Sequence, residues 1–354
     1  MYRRRTAFPA TVFAPGRSSG LPGVVARALR RCAGLAALAL LVQSGAVSAN
    51  YAEHPAAQAL IAEMVQEHGF DASELTALMA AAERQQSILD AIARPAEKTK
   101  PWYEYREIFL TERREREGVA FLNEHRGTLS RAQAETGVPA EIIVAILGVE
   151  TYYGRITGSY AVLDALSTLA FDYPKRSKFF TGELKSFLLL TREQGLDPLE
   201  LKGSYAGAMG YGQFISSSYR AYAVDFDGDG VADIWHNPVD AIGSVANYFA
   251  RNGWRAGEPV VTRADFSASG DPAIFDGELK PTKTVAGLAS QGLVAAQALD
   301  GDALATAVRF EQPDAFDYWM GLHNFYVITR YNRSNMYAMA VFQLSQRIAM
   351  GARE

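Results

Sequence analysis

One glutamate in this sequence stands where a carboxyl group could perform acid–base chemistry. Glu150 ends a run of apolar residues that starts at position 142. Helical spacing places Glu150 on the same face as Ile143 and Leu147, and that apolar face should be buried. A buried carboxyl group is harder to ionise, which suits a general acid at neutral pH. A structural ion pair with Arg155 is the alternative, and spacing alone does not choose between the two.

A second group of carboxylates points to metal chemistry. Asp225, Asp227 and Asp229 occupy loop positions 1, 3 and 5, and Gly230 occupies position 6. This spacing lets a tight loop turn oxygen ligands onto a calcium ion. Position 12, where an EF-hand has a bidentate glutamate, is His236, so the loop departs from the standard pattern. An acidic surface turn without metal is the alternative.

A glycine-rich segment lies between these two regions. Gly207, Gly210 and Gly212 surround Gln213 and indicate tight backbone turns. A phosphate-binding loop is a poor interpretation, because the segment has no Gly-Lys-Ser/Thr and no clear strand precedes it. A simple turn between helices is the remaining interpretation from the residues alone.

The elements that must position these residues are mostly helices. The chain has 354 residues, of which 49% are hydrophobic, enough for one catalytic unit with sub-domains. We expect a mainly α fold with some β structure (α+β): a helical region over 50–137, a catalytic region over 138–254, a small β-containing insertion over 255–320 and a closing segment over 321–354.

Single residues mark some of the expected elements. Asp71 and Thr111 are expected helix N-caps, and Trp102 is an expected core residue. Asn335 is the expected start of a final helix that ends near Met350.

The first 49 residues have the order of a secretory signal: arginines, an apolar run from Ala33 to Val42, then small residues. We expect cleavage after Ala49 and a periplasmic location, and no lipid anchor at Cys32, which precedes the apolar run. The remaining chain would contain no cysteine. Because residues 1–49 hold seven arginines and no acids, 28 of the 35 basic residues would remain against 39 acidic ones, a net charge of −11. A chain this acidic is not expected to bind nucleic acid.

Residues 148–155, Gly-Val-Glu-Thr-Tyr-Tyr-Gly-Arg, resemble the signature of the lytic murein transglycosylase B family, glycoside hydrolase family 103. Blocks at 164–169, 201–214, 240–249 and 329–332 resemble the same family, in the same order. The resemblance implies a lysozyme-like core that cuts peptidoglycan glycan strands between N-acetylmuramic acid and N-acetylglucosamine. Glu150 would act first as acid and then as base, leaving a 1,6-anhydro ring on the muramic acid.

The same resemblance implies a set of site residues. Lys175 and Arg176 would meet the anionic, peptide-bearing muramic acid, and Ser204 would bond near the acid or the N-acetyl group. The family's calcium loop would be closed by Asp240, with the carbonyl of Val231 as the position-7 ligand. We expect this Ca²⁺ to be structural, so that it raises the melting temperature without serving the chemical step. The full set of implied substrate-binding residues is Tyr105, Lys175, Arg176, Ser204, Gln213, Tyr248, Tyr331 and Asn332, and that of metal ligands is Asp225, Asp227, Asp229, Val231 and Asp240.

Two other functions stay open at this point. A hydrolytic muramidase would cut the same bond with water, and it would need a second carboxylate. Asp164, Asp172 and Asp197 are candidates for that carboxylate. A non-catalytic peptidoglycan-binding scaffold would keep the cleft without turnover, although the apolar setting of Glu150 argues against it.

Overall fold

A computed structural model describes residues 50–93 and 100–353. The predicted signal peptide, its cleavage point and Cys32 lie outside the described residues. Within them the chain forms fourteen α-helices and seven short strands. The helices are α1 (Pro55–His68), α2 (Ala72–Ala81), α3 (Gln86–Ala93), α4 (Trp102–Phe109), α5 (Glu112–Glu124), α6 (Arg126–Thr136), α7 (Ala140–Thr151), α8 (Val162–Asp172), α9 (Ser177–Gln194), α10 (Ser216–Tyr222), α11 (Pro238–Arg251), α12 (Val285–Ser290), α13 (His323–Tyr331) and α14 (Asn335–Gly351).

The predicted helix signals near the N-terminus are confirmed. The Asp71 carboxylate accepts hydrogen bonds from the backbone N–H groups of Ser73 and Glu74 at the start of α2. The Thr111 hydroxyl caps α5 in the same way by accepting from Arg114 N at 3.2 Å. Each cap satisfies backbone donors that have no partner within the helix.

Helix α7 is the centre of the helical part. All residues from Ile142 to Val149 are buried, because the helix packs against α5, α6, α11 and α14. Gly148 leaves room for the ring of Tyr153, since a Cβ there would lie 2.6 Å from the tyrosine hydroxyl. Among the described residues, no single helix is long and apolar enough to cross a membrane. Helices α6 and α7 together have the length and composition of a membrane span, but they are bent by 114° where they meet.

A five-stranded antiparallel sheet forms the β part of the chain. Its strands are β3 (Val261–Phe266), β4 (Lys283–Thr284), β5 (Leu293–Ala295), β6 (Leu304–Glu311) and β7 (Phe316–Gly321). Their order across the sheet is β4-β6-β7-β3-β5. One face, with Val308, Phe310 and Trp319, joins the main hydrophobic core, and the other face is covered by a smaller cluster that includes Leu288 of α12. Trp102 of α4 is 2% exposed and packs its ring 4.9 Å from that of Phe310, which confirms it as a core residue.

These strands agree with the expected β content of residues 255–320, and α14 agrees with the expected final helix. The exact sub-domain boundaries at 137, 254 and 320 stay predictions.

A second, two-stranded sheet begins shortly after α7 in the chain. Strand β1 (Tyr160–Ala161) pairs antiparallel with β2 (Lys202–Gly203), and Tyr160 is opposite Gly203. Gly158 approaches the Gly203 backbone so closely that a side chain there would overlap it. Residues 203–214 then fold back through isolated bridges, Gly203 to Met209 and Met209 to Phe214. The glycine-rich segment is therefore a compact loop that packs against the residues following α7.

Candidate active site

Glu150 lies in the last turn of α7, where its side chain is half-buried. The hydroxyl of Tyr337, on α14, donates a hydrogen bond to Glu150 Oε1 at 2.5 Å. Tyr337 is 2% exposed, so this donor is itself fixed by packing. The alternative partner that the sequence suggested, Arg155, has its guanidinium 2.7 Å from Glu117 Oε2. The carboxyl group of Glu150 is thus oriented by a buried tyrosine.

The backbone around Glu150 is strained. Among the described residues, three that are not glycine have a positive φ: Tyr152 (56°), Tyr153 (62°) and Gln213 (50°). The first two follow Glu150 after one intervening residue, Thr151, and the third lies in the glycine-rich loop. Left-handed backbone is unfavourable for such residues and persists where surrounding contacts enforce it, which is often at active sites.

The glycine-rich loop is tied to the segment after α7 by side-chain bonds. Gln213 donates from Nε2 to the carbonyl of Thr157 at 3.0 Å and to that of Gly210 at 3.1 Å. Ser204 holds the loop's own turn, because its hydroxyl oxygen accepts from the N–H groups of Ala206 and Ala208. Ser204 and Gln213, both predicted site residues, are half-buried at this junction.

Two predicted tyrosines, Tyr248 and Tyr331, meet beside this loop. The hydroxyl of Tyr331 donates to Gly212 O at 2.6 Å, and that of Tyr248 donates to Arg330 O at 2.6 Å. Their ring centroids are 4.7 Å apart. Burial raises the pKa of Tyr248 to about 12. Burial first, and then the charge of Glu150, raises the pKa of Tyr331 well above its usual value. Both groups stay protonated donors at neutral pH, and Tyr331 lies close enough to Glu150 to sense its charge.

Tyr105 and Asn332 are placed differently from each other. Tyr105 is 1% exposed, with its ring packed against those of Trp102 and Phe109. Its proximity contributes to the raised pKa of Tyr337, although burial is the largest cause. The ring of Tyr105 is covered by protein and offers no open face to a sugar. Asn332 follows the last residue of α13 and is half-buried.

The predicted basic pair lies just after the C-terminal end of α8. Lys175 and Arg176 are exposed on a 3₁₀ turn, Pro174–Arg176. The eleven residues of α8 separate this turn from β1 by about 16 Å, at the usual rise of a helix. The guanidinium of Arg176 lies over the ring of Phe179, 4.3 Å from its centroid. The pair forms a basic and aromatic surface at the C-terminal end of α8.

The predicted metal loop brings three carboxylates together. Single oxygens of Asp225, Asp227 and Asp229 all lie within 4.8 Å of one another, on an exposed surface. Backbone N–H groups, first that of Gly230, hold the pKa of Asp225 below its usual value. Val231, whose carbonyl was the fourth predicted ligand, donates its N–H to Asp229 Oδ1 at 2.9 Å. The cluster can present negative charge to a cation.

Asp240, the predicted closing ligand, is fully buried and braces the loop. Its carboxylate accepts from the backbone N–H of Phe226 at 2.7 Å and from that of Asp233 at 2.8 Å. Burial raises its pKa above the usual value. Asp233 was not among the predicted residues, although it occupies loop position 9, a position that often supplies a ligand through water. Asp233 caps the following turn by accepting from Trp235 N and His236 N.

The three candidate second carboxylates all hold backbone or side-chain groups elsewhere. Asp164 accepts from Glu83 N at 2.9 Å, and Asp172 accepts from the Tyr51 hydroxyl at 2.5 Å. Asp197 accepts from Leu199 N within its own turn. Asp164 and Asp172 therefore attach the N-terminal segment to α8.

Tyr337 is the residue at the site that sequence reasoning missed. It lies in the first turn of α14, six residues after the predicted Tyr331. Neither its type nor its spacing singles it out among the 17 tyrosines of the chain. Its role depends on how α14 packs against α7, which no local pattern records.

Comparison with known proteins gives a consistent result. The family described as "Transglycosylase SLT domain" matches residues 52–346. The membrane-bound lytic murein transglycosylase B of Escherichia coli K12 is 47% identical over 310 residues, which cover 85% of this chain and 84% of the relative.

Solved structures agree with this result. Soluble lytic transglycosylase SltB1 from Pseudomonas aeruginosa is 53% identical, with a TM-score of 0.82 over 85% of this chain and 100% of that one. Escherichia coli lytic transglycosylase Slt35, solved in complex with calcium, is 46% identical, with a TM-score of 0.80 over 86% and 96%. SltB3 from Pseudomonas aeruginosa, solved in complex with NAG-NAM-pentapeptide, is 32% identical, with a TM-score of 0.74 over 84% and 79%.

Proposed function

Since the chain belongs to the lytic murein transglycosylases with an SLT-type domain, we propose that Glu150 is the single acid and base with which it cuts peptidoglycan. The family establishes the enzyme class and the lysozyme-like fold. The roles of individual residues, described next, are the proposal.

The reaction needs two proton transfers at one carboxyl group. Protonated Glu150 gives its proton to the glycosidic oxygen between N-acetylmuramic acid and N-acetylglucosamine, and the bond from that oxygen to the anomeric carbon breaks. The N-acetyl group stabilises the positive charge left on the muramic acid. The Glu150 carboxylate then takes the proton from the muramic acid 6-hydroxyl as that oxygen attacks the anomeric carbon. The product carries a 1,6-anhydro ring, no water is consumed, and Glu150 ends protonated again.

The hydrogen bond from Tyr337 to Glu150 Oε1 is the observation that carries this assignment. One carboxyl group that acts on two different oxygens in turn must keep its position between the steps. A buried donor 2.5 Å from Oε1 restricts rotation of the carboxyl group. Because burial raises the pKa of Tyr337 well above its usual value, this donor keeps its proton at neutral pH.

The positions of the other acids favour a single-carboxylate reaction. A hydrolytic muramidase needs a second carboxylate to activate water or attack the sugar. Asp164 and Asp172 hold the N-terminal segment instead, and Asp197 caps its own turn. Intramolecular attack by the 6-hydroxyl replaces that second group and gains from proximity.

We assign the glycan contacts to the half-buried residues around the glycine-rich loop, together with the tyrosines beside it. Tyr105 acts from behind, by packing near Tyr337, rather than by touching sugar. Lys175 and Arg176 form a separate exposed cationic surface for the peptide-bearing, anionic part of the substrate. The proposed site of action is the periplasm, where peptidoglycan lies. The residues assigned to glycan contact are Ser204, Gln213, Tyr248, Tyr331 and Asn332.

The acidic loop is proposed to bind a structural Ca²⁺. Three exposed carboxylates within 4.8 Å of one another are mutually repulsive without a cation, and hard oxygen ligands suit calcium. Asp240 supports the loop through Phe226 N and Asp233 N, so its contribution in this conformation is to the loop backbone. The related Slt35 has been solved with calcium.

The test is mass spectrometry of the soluble products released from peptidoglycan sacculi. The wild type should release fragments that end in 1,6-anhydro-N-acetylmuramic acid, lighter by one water than hydrolytic products. Glu150→Gln should release none, whereas Glu141→Gln, in the first turn of the same helix, should match the wild type. Reducing-end products from the wild type would show hydrolysis. Release by Glu150→Gln at the wild-type rate would remove Glu150 from the mechanism, and no release by any variant would favour a binding scaffold.

A further inference from the structure

The residue after Glu150 makes an unusual set of bonds. Thr151 is 1% exposed, and its hydroxyl donates to the backbone carbonyl of Tyr211 at 2.8 Å. The same oxygen accepts from Gly154 N at 2.9 Å and lies 3.2 Å from Leu147 O within α7. A hydroxyl has one proton to donate, and the shorter contact directs it to Tyr211. This side chain therefore joins the end of α7, the turn after it and the glycine-rich loop.

The turn held by this hydroxyl is the strained one. Tyr152 and Tyr153 are consecutive left-handed residues, and their N–H groups bond back to Gly148 O and Leu147 O. Each such residue costs on the order of 1 kcal/mol or more, so the turn needs support from its surroundings. Thr151 supplies that support at both ends: it precedes Tyr152 and accepts from Gly154, and its own carbonyl accepts from Ile156 N at 2.9 Å.

The acceptor of the Thr151 hydroxyl is itself fixed. Tyr211 donates its backbone N–H to Ile234 O at 2.9 Å, within the segment that follows the acidic cluster. The Tyr211 ring packs directly on Gly154, where a Cβ would overlap it. Tyr211 is thus held from two sides, and a bond to its carbonyl fixes Thr151 relative to the loop that contains Gln213.

We propose that Thr151 is a positioning residue: its buried hydroxyl sets the place of the neighbouring Glu150 relative to the glycan-binding loop. The inference rests on the proposed role of Glu150. Loss of the hydroxyl leaves the Tyr211 carbonyl and the Gly154 N–H without this partner and frees the last turn of α7 to shift. A shift of about 1 Å in a reacting group can cost on the order of 10²-fold in rate.

The test compares Thr151→Val, which keeps the shape and removes the hydroxyl, with Thr151→Ser, which keeps the hydroxyl. Thr191→Val is the matched control, because Thr191 is a buried helical threonine that donates to Leu188 O at 3.1 Å on α9. All are assayed for anhydro-product release well below their melting temperatures, with kcat and KM separated. We expect Thr151→Val to lower kcat by about tenfold or more with KM within about twofold. Thr151→Ser should restore kcat to within about threefold of the wild type, and Thr191→Val should leave kcat unchanged.

Three results would overturn the positioning role: full kcat in folded Thr151→Val, an equal loss in Thr151→Ser, or a loss confined to KM. Glu150→Gln, run in the same assay, separates the two claims. If Glu150→Gln is inactive and Thr151→Val is fully active, only the positioning role fails. If Glu150→Gln is active, the assignment of Glu150 fails and the positioning role fails with it.

Discussion

The phenolic oxygen of Tyr337 lies 2.5 Å from Oε1 of Glu150, although the two residues are 187 positions apart in the chain. The contact joins α14, the last helix, to α7, the central one. The helix that carries Glu150, the proposed acid and base, is therefore completed by a helix from a distant part of the chain.

Tyr337→Phe should lower kcat by about 10- to 100-fold, because a buried hydrogen bond to a charged group contributes roughly 1.5–3 kcal/mol. The ring and its packing are kept, so circular dichroism should show a folded protein. Anhydro-product release gives the rate. Tyr219→Phe is the control: it removes another buried hydroxyl, bonded to Ala232 O at 2.8 Å, and should leave kcat unchanged. Equal rates for Tyr337→Phe and the wild type would contradict the proposed orientation of Glu150.

Calcium should raise the melting temperature of the wild type, by an amount that grows with its concentration. At about 100 times the dissociation constant the gain is about 2.7 kcal/mol. Asp227→Asn should weaken binding and reduce this gain, because it removes one of three clustered charges. Calorimetric titration and thermal unfolding measure both effects. Asp271→Asn, which alters an exposed cap at the start of a 3₁₀ turn, should bind calcium like the wild type. A chelated protein with unchanged melting and no bound metal would refute the site.

Gly154→Ala should destabilise the fold by about 2 kcal/mol or more and reduce activity. Its φ is +84°, and a Cβ would also overlap the ring of Tyr211. Gly69→Ala separates these causes, because Gly69 has a φ of +65° but nothing within 4 Å of its Cβ position. Gly69→Ala should cost about 1 kcal/mol, the left-handed penalty alone. Urea unfolding of both variants gives the difference in their free energies of unfolding. Equal losses would show that the Tyr211 ring moves aside from the new Cβ at little cost in stability.

Alkaline pH should destabilise the protein from about pH 10, the usual tyrosine pKa. Burial raises the pKa of Tyr248 to about 12 and that of Tyr337 well above its usual value. Above pH 10 the unfolded chain loses these protons while the folded chain keeps them, so stability falls as pH rises. For Tyr248 the loss approaches about 1.4 kcal/mol per pH unit between about pH 10 and 12. Urea unfolding between pH 8 and 11.5 tests this, and Tyr248→Phe should flatten the slope; an unchanged slope would contradict it.

Much of the candidate site was predictable from sequence because its signals are local. The apolar run before Glu150 predicts a buried helix that ends at a carboxyl group, and the spacing of Asp225, Asp227 and Asp229 predicts a shared cation site. Helix caps at Asp71 and Thr111 follow from side chains that bond within three residues. Each of these patterns depends on neighbours along the chain, and backbone geometry converts their spacing directly into position.

Other features depended on packing between distant segments. Periodicity predicts that the face of α7 with Glu150 is buried. It does not predict that Tyr337 of α14 covers the end of that face. It also gives no sign that Tyr105 is enclosed by Trp102 and Phe109, or that Asp172 holds Tyr51.

Residue types and their spacing along the chain were enough to predict the helix that carries Glu150, the acidic loop and the β content of residues 255–320, and the ordered blocks were enough to indicate the family. Packing between distant segments established which groups orient Glu150, which carboxylates are engaged elsewhere and how the strained turn at Tyr152 is held. Local structure follows from backbone sterics and side-chain spacing. The partners of a buried polar group are set by helices and loops that meet only when the whole core packs.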